Sequence, residues 1–135
     1  MNSSWKGRTA ILSGGLGDIG RAIAREFARR GAAVAIGDVH PAADAAACLA
    51  ELRDAGAQAR YDRVDVSDAA AVRDWVMAVE RELGTAELII PNAAIVTTAD
   101  IRTVTPEQWG RELRVNLTRG AIKSSPPYEP GKVMS

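Results

Sequence analysis

Apolar residues along the chain keep two rhythms, short unbroken runs and longer stretches with helical spacing, and the two alternate. Thr9 to Leu12 is an apolar run that enters a glycine-rich turn. From that turn a helix is predicted over about Asp18 to Arg30, with Ile19, Ile23 and Phe27 at i, i+4 spacing for burial against a sheet. Gly31 stands where a helix should stop, and Ala32 to Gly37 is apolar throughout. A short, continuously apolar strand suits a parallel sheet covered on both faces.

The alternation continues. Pro41 opens a second helix over about Ala42 to Ala55, with Leu49 and Leu52 on its inner face and Gly56 after it. Gln58 to Val66 reads as a third strand. Ser67 or Asp68 caps a third helix over about Ala69 to Leu83, whose apolar stripe is Val72, Val76, Val79 and Leu83. Gly84 stops it, and Glu87 to Ile90 is a fourth strand. After a loop from Asn92 to Val104, Thr105 as N-cap, Pro106 at the first position and the acid and amide of Glu107 and Gln108 begin a helix reaching about Leu117. Strand and helix alternating in this way predict an α/β, Rossmann-like fold of three αβα layers, with about four parallel strands in the order 3-2-1-4.

Past that point the pattern lapses. Arg119 to Ser135 holds three prolines and no sustained period, so residues 1–117 are expected to form one Rossmann-like domain and residues 118–135 an irregular tail. The chain has 135 residues, enough for one domain with a core, and 47% of them are hydrophobic and 25% charged. Lys+Arg and Asp+Glu balance at 17 each, which argues against nucleic acid or an anionic membrane as partner. Cys48 is the single cysteine, and neither a signal core nor a transmembrane run is present, so a cytoplasmic location is expected. His40 and Cys48 have no metal-ligand spacing around them, and no metal site is expected. Trp5, Trp75 and Trp109 read as packing residues, and Arg21, Arg25, Arg29 and Arg30 as a solvated helix face.

The candidate chemistry is concentrated in the first turn. Gly15, Gly17 and Gly20 satisfy G-x-G-x-x-G between a strand and a helix. Glycines let the backbone come close to a pyrophosphate, and a helix N-terminus offers free N–H groups and a positive dipole end. Asp38 ends the second strand eighteen residues past Gly20, where the dinucleotide fingerprint places an acid for the adenosine ribose hydroxyls. A carboxylate repels a 2′-phosphate, and Leu16 and Val39 supply no cation nearby. Asp38 therefore favours NAD over NADP, with His40 as the one neighbour able to oppose it.

Taken together, residues from about Lys6 to Leu117 resemble the short-chain dehydrogenase/reductase family. Ser13-Gly14-Gly15-Leu16-Gly17-Asp18-Ile19-Gly20 is similar to the family's T-G-x-x-x-G-I-G loop, with Ser13 for the threonine and Asp18 where the middle glycine stands. Asp65-Val66 resembles the pair after the third strand that meets the adenine. Pro91-Asn92-Ala93-Ala94 resembles N-N-A-G, whose small residues let the cofactor lie across the strand end. Val115-Asn116-Leu117-Thr118 resembles V-N-L-T, which implies for Asn116 a place in a catalytic tetrad, holding a water in a proton relay.

The resemblance implies an NAD-dependent oxidoreductase that moves a hydride between the dinucleotide and a small alcohol or ketone. It places Ser13, Gly14, Gly15, Gly17, Asp18, Ile19, Gly20, Asp38, Asp65, Val66, Asn92, Ala93 and Ala94 around the cofactor. The family's catalytic Ser and helical Y-x-x-x-K have no counterpart of the right kind. Tyr128-Glu129-Pro130-Gly131-Lys132 meets the letters, but Pro130 and Gly131 oppose the helical turn that the chemistry requires. Little dehydrogenase activity is expected of this chain alone. An NAD-binding module without chemistry and a non-functional truncated fragment stand as the other readings. A strand at Leu88 to Ile90 left on a sheet edge would favour self-association into a homo-oligomer.

Overall fold

The computed structural model of the chain describes residues 4–94 and 102–116. Its elements run β1 (Thr9–Ser13), α1 (Asp18–Arg29), β2 (Ala33–Asp38), a 3-10 turn (Ala42–Ala45), α2 (Ala46–Asp54), β3 (Ala59–Arg63), α3 (Ala69–Leu83), β4 (Ala86–Pro91) and α4 (Pro106–Asn116). The strands form one parallel sheet in the order β3-β2-β1-β4. The tail from residue 118, including Tyr128 and Lys132, and residues 95–101 of the loop after β4 lie outside the described residues.

Side chains alternate across the sheet and so feed two cores. Ile11 and Ala35 point to the face covered by α3, where they meet Val72, Trp75, Val76 and Val79. Leu12, Val34 and Ile36 point to the other face and pack against α1 and α2. This period of two, with both faces covered, is why β1 and β2 are apolar at nearly every position. Each fully buried Ile, Leu or Val contributes roughly 1.5–3 kcal/mol relative to exposure.

The inner face of α1 differs from the one expected. Gly20, Ala24 and Ala28 are its buried residues, Ile23 and Phe27 flank them half-buried, and Ile19 is 70% exposed. Small residues let the helix approach the sheet closely, and Phe27 turns to meet Trp5 edge-on, with ring centroids 5.9 Å apart. The arginines of α1 are also more engaged than a solvated face. Arg21 and Arg25 each reach Glu51 of α2 at 2.9 Å, and Arg30 reaches Glu26 at 2.7 Å. Trp75 is a packing residue, whereas Trp109 on α4 is 55% exposed.

Helix ends follow local chemistry. After α1, Gly31 adopts φ 91°, its N–H donates to the Ala28 carbonyl, and the Ala32 N–H donates to that of Phe27. That double bond is the Schellman stop, and a residue with a Cβ adopts its φ only with strain. Along the second segment the buried positions are Ala45, Cys48 and Leu52, with Leu49 half-buried, and the helix there begins only after a 3-10 turn. At α4 the Thr105 hydroxyl accepts from the Gln108 N–H, and the Gln108 side chain accepts from the Thr105 N–H, forming a reciprocal capping box. Among the described residues no helix is long and apolar enough to cross a membrane.

For α3, Asp68 rather than Ser67 is the cap, because its carboxylate accepts from the N–H groups of both Ala70 and Ala71. Asp68→Ala is expected to lower the unfolding free energy by about 1 kcal/mol. Ser67→Ala should stay within about 0.5 kcal/mol of the parent. Urea unfolding of the two variants measures both.

Candidate functional site

The site is built where the strands end and the chain turns over them. The Gly14 N–H donates to the Gly37 carbonyl at 2.8 Å, which carries the β1–β2 pairing one residue past the end of β1. Gly14 then takes φ +69°, and a Cβ there would stand 2.7 Å from the Ala93 Cα. The Gly14 carbonyl accepts from the Gly17 N–H at 3.3 Å and from Asn92 Nδ2 at 3.1 Å. Ser13 is fully buried, and its hydroxyl accepts the Ala93 N–H at 3.2 Å. The β4 end is thereby tied to the β1 turn by two side chains, Ser13 and Asn92.

The glycines at positions 17 and 20 have different physical causes. A Cβ on Gly20 would run into the Gly14 carbonyl and lie 2.7 Å from the Gly15 Cα, so packing excludes it. Gly17 precedes α1 with an ordinary extended backbone (φ −74°, ψ 167°), and a Cβ there would meet only the Gly14 carbonyl at 3.6 Å. Nothing in the fold asks for glycine at position 17. Among the described residues no side-chain hydrogen bond caps α1, so no cap masks its N-terminal dipole.

Asp38 closes the opposite side. Its Oδ2 accepts the Leu16 N–H at 3.2 Å and its Oδ1 accepts the Val39 N–H at 2.8 Å. The carboxylate is thus aimed by backbone groups and keeps spare acceptor positions, since a carboxylate has about four. β3 fixes the segment that follows. The Tyr61 hydroxyl donates to the His40 carbonyl at 2.6 Å and to that of Asp38 at 3.2 Å, and Arg63 Nε donates to that of Val39 at 2.9 Å. Burial and the Asp38 carboxylate push the Tyr61 hydroxyl up to about 12, so it stays a donor across the physiological range.

These pieces surround a cleft of about 630 Å³ at the carboxyl ends of the strands, the position where open parallel sheets take their ligands. Gly14, Gly17, Asp18, Ile19 and Gly20 form one wall, and Asp38, Asp65 and Val66 form another. Asn92, Ala93 and Ala94 make the floor under β4. The exposure of Ile19 is explained here, because its side chain belongs to the cleft. Ser13 and Gly15 lie beneath the wall, and Asn116, at the end of α4, is not part of the lining although its neighbour Val115 is.

The Asp65 carboxyl is held below its usual range by the Ser67 hydroxyl and N–H, helped by the charges of Arg111 and Arg114. Among the described residues no group of three or more His, Cys, Asp or Glu side chains could hold a metal ion.

Gly37, Val64, Arg111 and Val115 also line the cleft and were not anticipated. Gly37 had a signal, a glycine inside an otherwise apolar strand, which marks a close approach. A Cβ there would meet Trp75 and Val64 at 2.6 Å. Arg111 had none, since only the folding back of α4 brings it to the cleft, whereas Val115 belongs to the V-N-L-T segment.

The fold and cleft define a dinucleotide-binding class of α/β protein, and comparison with known proteins gives the family. The sequence model of the short chain dehydrogenase family matches residues 8–124, and the chain belongs to that family. The chain is 36% identical over 123 residues to a cis-4-hydroxycyclohexanecarboxylate dehydrogenase of Sinomonas cyclohexanicum, covering 90% of this chain and 49% of that one. Among solved structures, a blue fluorescent protein from a metagenomic library in complex with NADPH superposes with a TM-score of 0.82 at 30% identity. That match covers 89% of this chain and 49% of the other. A carveol dehydrogenase of Mycobacterium avium in complex with NAD shares the fold, with a TM-score of 0.77 at 24% identity over 84% of this chain and 46% of that one. The chain spans about half the length of the curated relatives it matches.

The contrast between the two glycines is testable on stability alone. Gly20→Ala should lower the unfolding free energy by about 2 kcal/mol despite alanine's better helix propensity, because the clash is with backbone. Gly17→Ala should lose less than about 1 kcal/mol, as expected for glycine replaced at a helix N-cap. Denaturant melts of the pair would contradict this account if the order were reversed.

Proposed function

We propose that residues 1–117 are the dinucleotide-binding unit of a short-chain dehydrogenase, that the unit prefers NAD, and that the whole protein oxidises or reduces a small alcohol or ketone. The observation that carries the reading is Asp38, a carboxylate aimed by the Leu16 and Val39 N–H groups into the cleft across from the α1 N-terminus. Its spare lone pairs suit the two hydroxyls of an unphosphorylated ribose, and its charge repels a 2′-phosphate.

The residues present suit such a group on independent grounds. The open space at Gly17, which a side chain would take up, lies beside an uncapped helix start, as close approach of a pyrophosphate requires. The cleft volume is in the range of a cofactor site. When bound, a nicotinamide dinucleotide supplies the hydride acceptor or donor.

The chain's own part is binding and orientation. The N–H groups at the start of α1 would face the pyrophosphate. Asp65 and Val66 form the wall on which the adenine would rest. Ala93 and Ala94 keep the strand end low enough for the cofactor to cross it. Asn116 would hold the relay water at the far end. Association through the outer strand of the described sheet, where Ile89 and Ile90 of β4 are only half-buried, belongs to the same proposal.

Calorimetric titration of the chain with NAD and with NADP tests the reading. NAD should bind the more tightly of the two. Asp38→Asn should weaken NAD by about tenfold or more, the loss expected for hydrogen bonds to a charged group, without weakening NADP. NAD affinity unchanged in a folded Asp38→Asn variant would overturn the assignment of Asp38.

A further inference from the structure

We infer that Arg111 is a base clamp, its planar guanidinium closing over the face of the adenine that Asp65 and Val66 leave open. The inference rests on the dinucleotide reading of the cleft, with the adenine placed against Asp65 and Val66.

This end of the cleft is made by two segments, Val64, Asp65 and Val66 after β3, and Arg111 and Val115 on α4. Val64 and Val115 are buried and Val66 is half-buried, so the floor is apolar. Arg111 and Val115 are four positions apart and therefore neighbours on one face of the helix. With Val115 turned into the cleft, Arg111 stands one turn earlier on the same side, exposed.

Two groups there have bonding capacity to spare. Asp65 Oδ1 accepts the Ser67 N–H at 2.9 Å and the Ser67 hydroxyl at 2.6 Å, whereas Oδ2 accepts no hydrogen bond among the described residues. The Arg111 guanidinium, with its five N–H donors, makes neither a hydrogen bond nor an ion pair among the described residues. Arg21, Arg25 and Arg60, by contrast, are each committed to a carboxylate. The Arg111 charge is felt at the Asp65 carboxyl, yet the two do not close into an ion pair. Cation and acceptor thus share one end of the cleft and leave the place between them open.

An apolar floor, an acceptor at the edge and an uncommitted planar cation suit a flat π-rich ring that carries an amino group. A guanidinium stacks on such a ring through cation–π attraction, and its aliphatic stem covers apolar surface. A phosphate is the poorer occupant here, because the open Asp65 oxygen repels it and the α1 start offers an anion its place on the other wall. Closing the clamp breaks no bond that Arg111 makes in the free chain, and no covalent step is involved.

NAD is titrated into the full chain and into Arg111→Ala, by calorimetry and by NMR. Alanine is a strong helix former and position 111 is exposed, so the variant should keep the fold. Arg111→Ala should weaken NAD by about two- to fivefold, the scale of a cation over an exposed ring. In the parent, bound NAD should move the Arg111 δ-protons upfield through the adenine ring current and give nuclear Overhauser contacts between them and the adenine ring protons. Bound NAD without those contacts, or unchanged NAD affinity in the folded variant, overturns the clamp and leaves the dinucleotide site standing. Should the variant unfold, the contacts in the parent decide alone. Absence of saturable NAD binding to the parent sinks the site itself.

Discussion

The Gly14 carbonyl is the contact on which the site depends. It accepts from Gly17 in its own turn and from Asn92 at the end of β4, and it sits against the bare Cα of Gly20 in α1. One backbone oxygen thus sets the distance between the first helix, the first strand and the fourth. Two residue choices follow from it: no Cβ at position 20 and an amide side chain at 92. Gly20, Ala24 and Ala28 extend the same constraint along α1, since a helix started this close to the sheet leaves room only for small side chains on its inner face.

A second set of bonds fixes the other rim. The Asp38 carboxylate is aimed by the turn after β1, through the Leu16 N–H, and by its own following residue. The segment after it is laced to β3 through three successive carbonyls. The two rims therefore share the turn between β1 and α1. This is how a motif at positions 14 to 20 and an acid at 38 become one cleft.

Much of this was legible in the sequence, and the reasons are local. The strand order, the start of α4 at Thr105 and Pro106, and the glycine stops at Gly31 and Gly84 rest on residues whose backbone preferences leave little choice. The assignment of Asp38 as the acid ending β2 rests on spacing from the glycine turn. The inner face of α1 was misread because hydrophobicity marked Ile19, while close packing selected Gly20 and the binding cleft claimed Ile19. Trp109 shows the converse, an aromatic ring left exposed on α4. Arg111 carried no signal, because a residue on a helix more than seventy positions from Asp38 becomes a neighbour of the site only through tertiary packing.

The most direct test of the central claim, that the Gly14 turn, the α1 start and Asp38 form one dinucleotide site, is amide mapping by NMR during NAD titration. The account requires concerted, saturable shifts at Gly14, Gly17, Ile19, Asp38, Asp65 and Ala93, with Gly56, on the far side of α2, unmoved. Shifts spread over the surface without saturation, or saturable shifts that spare Gly17 and Asp38, would contradict it.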